Sequence, residues 1–89
     1  MNTNSTFLEQ ESNDLEFRKA FGKKIKRLRQ EKDFTQEYLG YLAKLDRTYI
    51  GGLERGERNI TLSNIKKIAD ALEIPVIELF KFEEALNFE

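Results

Sequence analysis

Apolar residues recur at helical spacing along this chain, and the spacing is clearest for Phe17, Phe21, Ile25 and Leu28. On a helical wheel these four residues fall within one arc of about 80°, away from the basic residues between them. The spacing therefore predicts an amphipathic helix 1 over roughly residues 15 to 32. No segment alternates apolar and polar residues in the manner of a strand, so the sequence predicts an all-α fold.

Side-chain caps and apolar spacing predict three further helices. Thr35, Asp46 and Thr61 each place a side-chain oxygen just before an apolar set, where it can accept a hydrogen bond from an unpaired N–H group. The residues predicted to face inward in helices 2, 3 and 4 are Leu39, Leu42, Ala43, Tyr49, Ile50, Leu53, Ile65, Ile68, Ala69 and Leu72.

A fifth helix is predicted after Pro75, a residue that suits the first turn of a helix. Its apolar residues are Val76, Ile77, Leu79 and Phe80. The prediction is a five-helix domain over residues 15–89, with a C-terminal dimerisation helix. Residues 1–14 are a polar arm that either extends helix 1 or is disordered.

The composition of the 89-residue chain excludes several function classes, because it contains neither cysteine nor histidine. It therefore lacks thiolate and imidazole ligands and the commonest general base. No glycine-rich phosphate loop or serine-nucleophile motif occurs either. We predict that the protein is not an enzyme and has no metal ion or cofactor. With no secretory signal and no segment apolar enough to span a bilayer, the prediction is a cytoplasmic protein without a membrane partner.

Charge is distributed unevenly along the chain. Residues 18–67 hold 14 of the 15 basic residues and only six acidic ones, a local balance of +8 within a chain of net charge −1. A basic middle segment is typical of a surface that binds a polyanion, but solvated helix faces give similar counts. The charge pattern alone leaves both interpretations open.

Helix 3 contains two adjacent glycines. With Leu53 at the centre of the buried side, a helical wheel predicts an outward face that is poor in side chains. The residues on that face and its flanks are Arg47, Thr48, Gly51, Gly52 and Arg55. Each exposed helix glycine costs roughly 0.5 to 1 kcal/mol of stability, so the pair predicts a surface that another molecule approaches closely.

A nucleic-acid groove is one candidate for that other molecule. Arg47 and Thr48 in the first turn would reach base edges, and Arg55 or Arg58 would reach phosphates. Local flexibility is the alternative explanation for a glycine pair, and the pair by itself favours neither.

The chain resembles the helix-turn-helix family of lambda repressor and Cro in the residues TQEYLGYLAKLDRTYIGGLERGER, with IKRLRQEKDFT before them and LSNIKKIADALEIPVIELF after them. Within that family, the segments LDRTYI and ERGERN are most similar to the controller proteins of restriction-modification systems. The resemblance implies a lambda-repressor-like DNA-binding domain with its helix-turn-helix at helices 2 and 3. It also implies a homodimer and a double-stranded DNA operator, with RNA polymerase as a further candidate partner.

The resemblance assigns roles to individual residues. The positions that face the groove and contact bases are Arg47, Thr48, Gly51 and Gly52. The positions that contact phosphates are Gln36, Tyr49, Arg55, Arg58 and Asn59. For Tyr49, a plain core aromatic is an equal alternative, and Gln36 would also support helix 3.

Two further sets of residues have implied structural roles. Arg29 and Glu54 hold the positions of a partly buried ion pair, although Glu54 could instead pair on the surface with Arg58 one turn later. The predicted dimer interface consists of Ile77, Phe80, Phe82 and Leu86, because the apolar residues of this region exceed what one small core needs.

Two residues depart from the family's pattern. The chain has Lys44 where the family commonly has glycine, and Gly40 where it commonly has alanine. A lysine in a left-handed conformation would be strained by roughly 1 kcal/mol. Gly40, in the middle of helix 2, predicts that helix 3 approaches closely there.

The predicted function is a sequence-specific DNA-binding transcription regulator of the controller type. A phage-type repressor or an antitoxin of the same fold is the first alternative. A protein-interaction module is the second, and it predicts no affinity for DNA at low salt.

Overall fold

The computed structural model describes the backbone of residues 3–83 and the side chains of residues 13–83. This part of the chain contains no strand and four α-helices: α1 (Thr3–Glu31), α2 (Gln36–Ala43), α3 (Arg47–Glu54) and α4 (Leu62–Leu72). A 3-10 helix, Val76–Phe80, follows α4. None of the helices among the described residues is long and apolar enough to cross a membrane.

The predicted count of five helices is not confirmed, because the segment after Pro75, Val76–Phe80, is a 3-10 helix and not an α-helix. Its bonds span three residues, as where the Glu78 N–H donates to the Pro75 carbonyl at 3.0 Å. A five-residue segment can form few bonds of the longer α type, so the tighter helix is the usual outcome. Helix α1 begins at Thr3 and not near residue 15, which corresponds to the alternative in which the polar arm extends helix 1.

All three predicted N-caps are confirmed. Thr35 and Thr61 each accept a hydrogen bond from the N–H three residues later, at 3.0 and 3.1 Å. Asp46 accepts from the N–H two residues later, at 3.2 Å. Each cap satisfies a backbone donor that has no partner within its own helix, and so sets where α2, α3 and α4 begin.

The turn between α2 and α3 depends on both departures from the family's pattern. Lys44 ends α2 in the left-handed conformation, at φ 60° and ψ 43°. A Cβ atom on Gly40 would lie 2.5 Å from the Leu45 carbonyl oxygen, closer than a real side chain allows. The predicted close approach at Gly40 is therefore confirmed, and it fixes α3 against α2.

The core lies between α1, the α2–α3 pair and α4. Among the residues predicted to face inward, Leu42 is an exception with 37% of its surface exposed, and Tyr49 is only half-buried. Phe17 is also exposed, to 40%. The buried apolar residues of the described part are Phe21, Ile25, Leu39, Ala43, Ile50, Leu53, Ile65, Ile68, Ala69, Leu72 and Leu79.

An aromatic cluster joins the end of the 3-10 helix to α1. The ring of Phe82 lies 5.7 Å from that of Phe17 and 6.3 Å from that of Phe21, and Phe80 lies 5.0 Å from Phe21. Phe82, predicted at a dimer interface, therefore packs against its own chain, because the turn after Phe80 directs it onto α1. Leu86, predicted for the same interface, lies outside the described residues.

Candidate nucleic-acid interface

The first turn of α3 is open to solvent. Arg47 and Thr48 are both exposed there, directly after the Asp46 cap. On the opposite side of the helix, Ile50 and Leu53 are fully buried. The predicted division of α3 into inner and outer faces thus holds for its side chains, and the outer face begins with one guanidinium and one hydroxyl.

A buried ion pair holds the other end of α3. The Arg29 Nε atom donates to Glu54 Oε2 at 2.7 Å and Nη2 donates to Oε1 at 3.0 Å. Both residues are 8% exposed. The third guanidinium nitrogen donates to the Phe34 carbonyl at 2.8 Å. Glu54 therefore pairs with α1 and not with Arg58 on the surface, and the pair joins α1, α3 and the start of the helix-turn-helix.

Gln36, the first residue of α2, completes this network. Its Nε2 atom donates to Glu54 Oε1 at 2.9 Å. Its Oε1 atom lies 3.5 Å from where a Cβ atom of Gly51 would be. The side chain thus supports α3 at two points and lies at the margin of the outer face.

The prediction that Gly51 and Gly52 present open backbone is wrong, because both residues are buried. A Cβ atom on Gly51 would lie 3.2 Å from Arg55 Nη1, and one on Gly52 would lie 3.1 Å from Arg58 Nε. Long side chains from beyond the helix end fold back over the space that the missing side chains leave. The atoms nearest to the two glycines therefore belong to the side chains of Arg55, Arg58 and Gln36, whereas Arg55 and Thr48 themselves remain exposed.

Tyr49 connects α3 to α4 at the edge of this surface. Its hydroxyl accepts a hydrogen bond from Asn64 Nδ2 at 3.2 Å. The guanidinium carbon of Arg58 lies 5.3 Å from the ring centroid, within range of a cation–π contact.

Asn64 was not among the predicted site residues, although its position in the first turn of α4 could have indicated it. Asn59, which follows Arg58, is exposed.

Glu57 is a second residue that the sequence prediction missed. Arg55 Nε donates to Glu57 Oε2 at 2.9 Å, and Arg55 Nη2 donates to Oε1 at 3.1 Å. The hydrogen bond from Arg55 holds the pKa of the Glu57 carboxyl below its usual value, and the same bond raises the pKa of Arg55. Each shift favours the charged form of its group, as expected for an ion pair.

Several of these residues lie together on the outer side of α3. Gln36 and Arg55 meet over Gly51, and Arg58 lies over Gly52 and Tyr49. The helix-turn-helix family HTH_3 matches residues 25–79, which include the whole of this surface. The chain belongs to the HTH_3 family.

Two curated relatives of this HTH_3 chain match most of its length. Control protein C.MunI from Mycoplasma sp is 46% identical over 69 residues, which are 76% of this chain and 90% of the relative. Control protein C.BamHI from Bacillus amyloliquefaciens is 41% identical over 73 residues, which are 81% of this chain and 90% of the relative.

The HTH_3 fold is also shared with solved structures. The restriction-modification controller protein C.AhdI from Aeromonas hydrophila superposes with a TM-score of 0.69 at 50% sequence identity, over 70% of this chain and 94% of that protein. The predicted resemblance to controller proteins and the all-α helix-turn-helix fold are thereby confirmed, and α2 and α3 are the helix-turn-helix.

Proposed function

We propose that this HTH_3 chain is a homodimeric, sequence-specific DNA-binding transcription regulator of the restriction-modification controller type. The observation that carries the proposal is the exposed first turn of α3, where Arg47 and Thr48 project from a helix that is fixed at its other end. In helix-turn-helix proteins the second helix of the motif enters the major groove, with its N-terminal residues on base edges. The similarity to named control proteins supports the same assignment.

Arg47 and Thr48 are the proposed base-reading residues. A guanidinium can donate two parallel hydrogen bonds to the O6 and N7 atoms of guanine, and a threonine can contact either a base edge or a thymine methyl group. Gly51 and Gly52 were predicted to contact bases. They have no side chain to do so, and the side chains of Arg55 and Arg58 lie over them. Their proposed role is to let Arg55 and Arg58 lie close against α3.

The remaining site residues are proposed to contact DNA phosphates. They are Gln36, Tyr49, Arg55, Arg58 and Asn59. In the free protein, Gln36 and Arg55 lie near Gly51, and Arg58 lies near Gly52 and over the ring of Tyr49. Contacts of this kind position a protein on the duplex without reading its sequence.

Replacing Arg47 with alanine is expected to reduce the discrimination between operator and random duplex by about 1 to 3 kcal/mol, the value of one good bidentate base contact. Competition binding at fixed salt with both duplexes measures it. Arg27→Ala is the matched control, because Arg27 is also an exposed arginine but lies on α1, outside the candidate interface. Unchanged discrimination in Arg47→Ala would contradict the assignment of Arg47 to base reading.

The function itself is tested by selecting bound duplexes from a random pool. A dimer of this fold predicts a consensus of two symmetric half-sites about one helical turn apart. The alternative of a protein-interaction module predicts that no duplex is retained, even at low salt where phosphate contacts are strongest. Such a result would remove the proposed function.

A phage-type repressor is the second candidate function, favoured by one comparison. The immunity repressor protein of Bacillus phage phi105 is 40% identical over 68 residues, but these are only 47% of that protein. The two control proteins are matched over 90% of their length, so the controller assignment is preferred. Contact with RNA polymerase remains a prediction under either candidate.

The proposed dimer surface is the exposed side of the 3-10 helix. Ile77 is 64% exposed, and Phe80 and Val76 are 39% and 36% exposed, so three apolar side chains meet solvent within five residues. Exposed apolar residues grouped within one short segment of a small protein are a candidate interface. Leu86 remains a predicted member, whereas Phe82 is already used within its own chain.

Replacing Ile77 with aspartate is expected to shift the protein toward monomer, because it places a charge in the apolar contact without disturbing the core. Sedimentation velocity over a concentration series measures the shift. Leu62→Asp is the control, since Leu62 is another exposed apolar residue, at 84%, outside the proposed surface. If both variants sediment as the parent protein does, the dimer interface lies elsewhere.

A further inference from the structure

The guanidinium of Arg55 is already occupied by a carboxylate. Its Nε and Nη2 atoms donate to the two oxygens of Glu57 at 2.9 and 3.1 Å, a parallel two-bond arrangement. A DNA phosphate presents the same pair of anionic oxygens to an arginine. Glu57 therefore holds Arg55 through the two donors that a phosphate contact would use.

The backbone after α3 places the main chain of Glu57 beside that helix. Gly56 adopts φ 80°, a left-handed conformation that turns the chain back toward the helix. The Glu57 N–H then donates to the Gly52 carbonyl at 2.9 Å, and the Gly56 N–H donates to the Leu53 carbonyl at 3.1 Å. The main chain at Glu57 is thus held beside α3, within reach of the Arg55 side chain.

Arg55 reaches Glu57 along the outer face of α3. Its Nη1 atom lies 3.2 Å from where a Cβ atom of Gly51 would be, in the space that this glycine leaves. Both charged side chains are more than half exposed, so solvent and salt weaken the pair without removing it. In the free protein Arg55 therefore lies over the surface that the proposed function offers to DNA.

We propose that Glu57 sets the affinity of the protein for DNA by occupying, in the free protein, the place at Arg55 that a phosphate takes in the complex. The inference rests on the proposed function. DNA binding must then break the Arg55–Glu57 pair, and this cost depends on the presence of Arg55. Since a phosphate contact is the same for every sequence, the effect lowers the affinity for operator and random duplex alike.

The test is a double-mutant cycle of the parent protein, Glu57→Gln, Arg55→Ala and the combined variant. Fluorescence anisotropy at several salt concentrations measures the affinity of each protein for two duplexes. One duplex comes from the random-pool selection, and the other is a random duplex of equal length. Exposed ion pairs are worth a factor of about two to five in an equilibrium constant. Glu57→Gln should therefore bind both duplexes about two- to five-fold more tightly, and this gain should disappear when Arg55 is alanine.

Glu31→Gln is the matched control. It removes one carboxylate, and hence one negative charge, from the similarly exposed Arg27–Glu31 pair on α1, where Arg27 Nε lies 3.4 Å from Glu31 Oε2. It should change the affinity by much less than Glu57→Gln does. A gain in Glu57→Gln that persists without Arg55 would show simple repulsion of DNA by Glu57 and would overturn the inference.

Two further outcomes separate this inference from the proposed function. If the parent protein binds the selected duplex but Glu57→Gln gains nothing, the inference fails while the proposed function stands. If the parent protein binds neither duplex at low salt, both fail together.

Discussion

Replacing Arg29 with methionine is expected to lower the free energy of unfolding by about 3 to 5 kcal/mol, because it leaves a buried carboxylate without its charge partner. Glu54 would keep only the hydrogen bond from Gln36, at 2.9 Å, within a site that excludes water. A small domain has only about 5 to 15 kcal/mol of stability in total. Urea unfolding followed by circular dichroism, compared with the parent protein, measures the loss.

Two companion variants separate burial from charge in this prediction. Arg27→Met breaks the exposed Arg27–Glu31 pair and should cost well under about 1 kcal/mol. Combining Arg29→Met with Glu54→Leu removes both charges and should recover much of the loss, since apolar residues often replace a buried pair at little cost. If Arg29→Met costs no more than Arg27→Met, then Glu54 is not held in a water-excluded site.

Local sequence signals predicted those parts of the fold that depend on neighbouring residues. Thr35, Asp46 and Thr61 act within three residues of themselves, and for this reason the starts of α2, α3 and α4 could be predicted from the sequence. The inner face of α3 followed from apolar spacing in the same way. The pairing of Arg29 with Glu54 joins residues 25 positions apart, and only the family resemblance indicated it.

The errors concern features that depend on distant or very short segments. A helical wheel gives the direction of Gly51 and Gly52 but cannot show that Arg55 and Arg58, beyond the helix end, fold back over them. The partnership of Glu57 with Arg55 depends on the left-handed turn at Gly56. Over the five residues of Val76–Phe80, apolar spacing does not distinguish a 3-10 helix from an α-helix.

The apolar periodicity of α1 does not indicate the structural role of Gly22. A single glycine among apolar and basic residues indicates at most a weak point in a helix. In the structure, Gly22 is buried where α1 crosses the end of α3. A Cβ atom there would lie 2.4 Å from the Leu53 carbonyl oxygen and 2.6 Å from that of Glu54. The glycine therefore sets the distance between the two helices that the Arg29–Glu54 pair joins.

Replacing Gly22 with alanine is expected to lower the free energy of unfolding by about 3 kcal/mol, the upper range for overpacking a site whose neighbours cannot move freely. Helix propensity alone predicts the opposite sign, a gain of roughly 0.5 to 1 kcal/mol for the same substitution. The loss arises because the atoms that the new methyl group meets belong to backbone and not to a flexible side chain. Urea unfolding of the variant gives the sign directly.

Gly51→Ala is the matched control, because it introduces the same methyl group into a helix of the same protein. There the nearest atoms are Arg55 Nη1 at 3.2 Å and Gln36 Oε1 at 3.5 Å, both at the ends of flexible side chains. Those ends can move, so the propensity gain of up to about 1 kcal/mol should remain. If α1 and α3 cross closely at Gly22, the two substitutions should change the free energy of unfolding in opposite directions. A stabilising Gly22→Ala would mean that the two backbones lie further apart and that the buried pair tolerates looser packing.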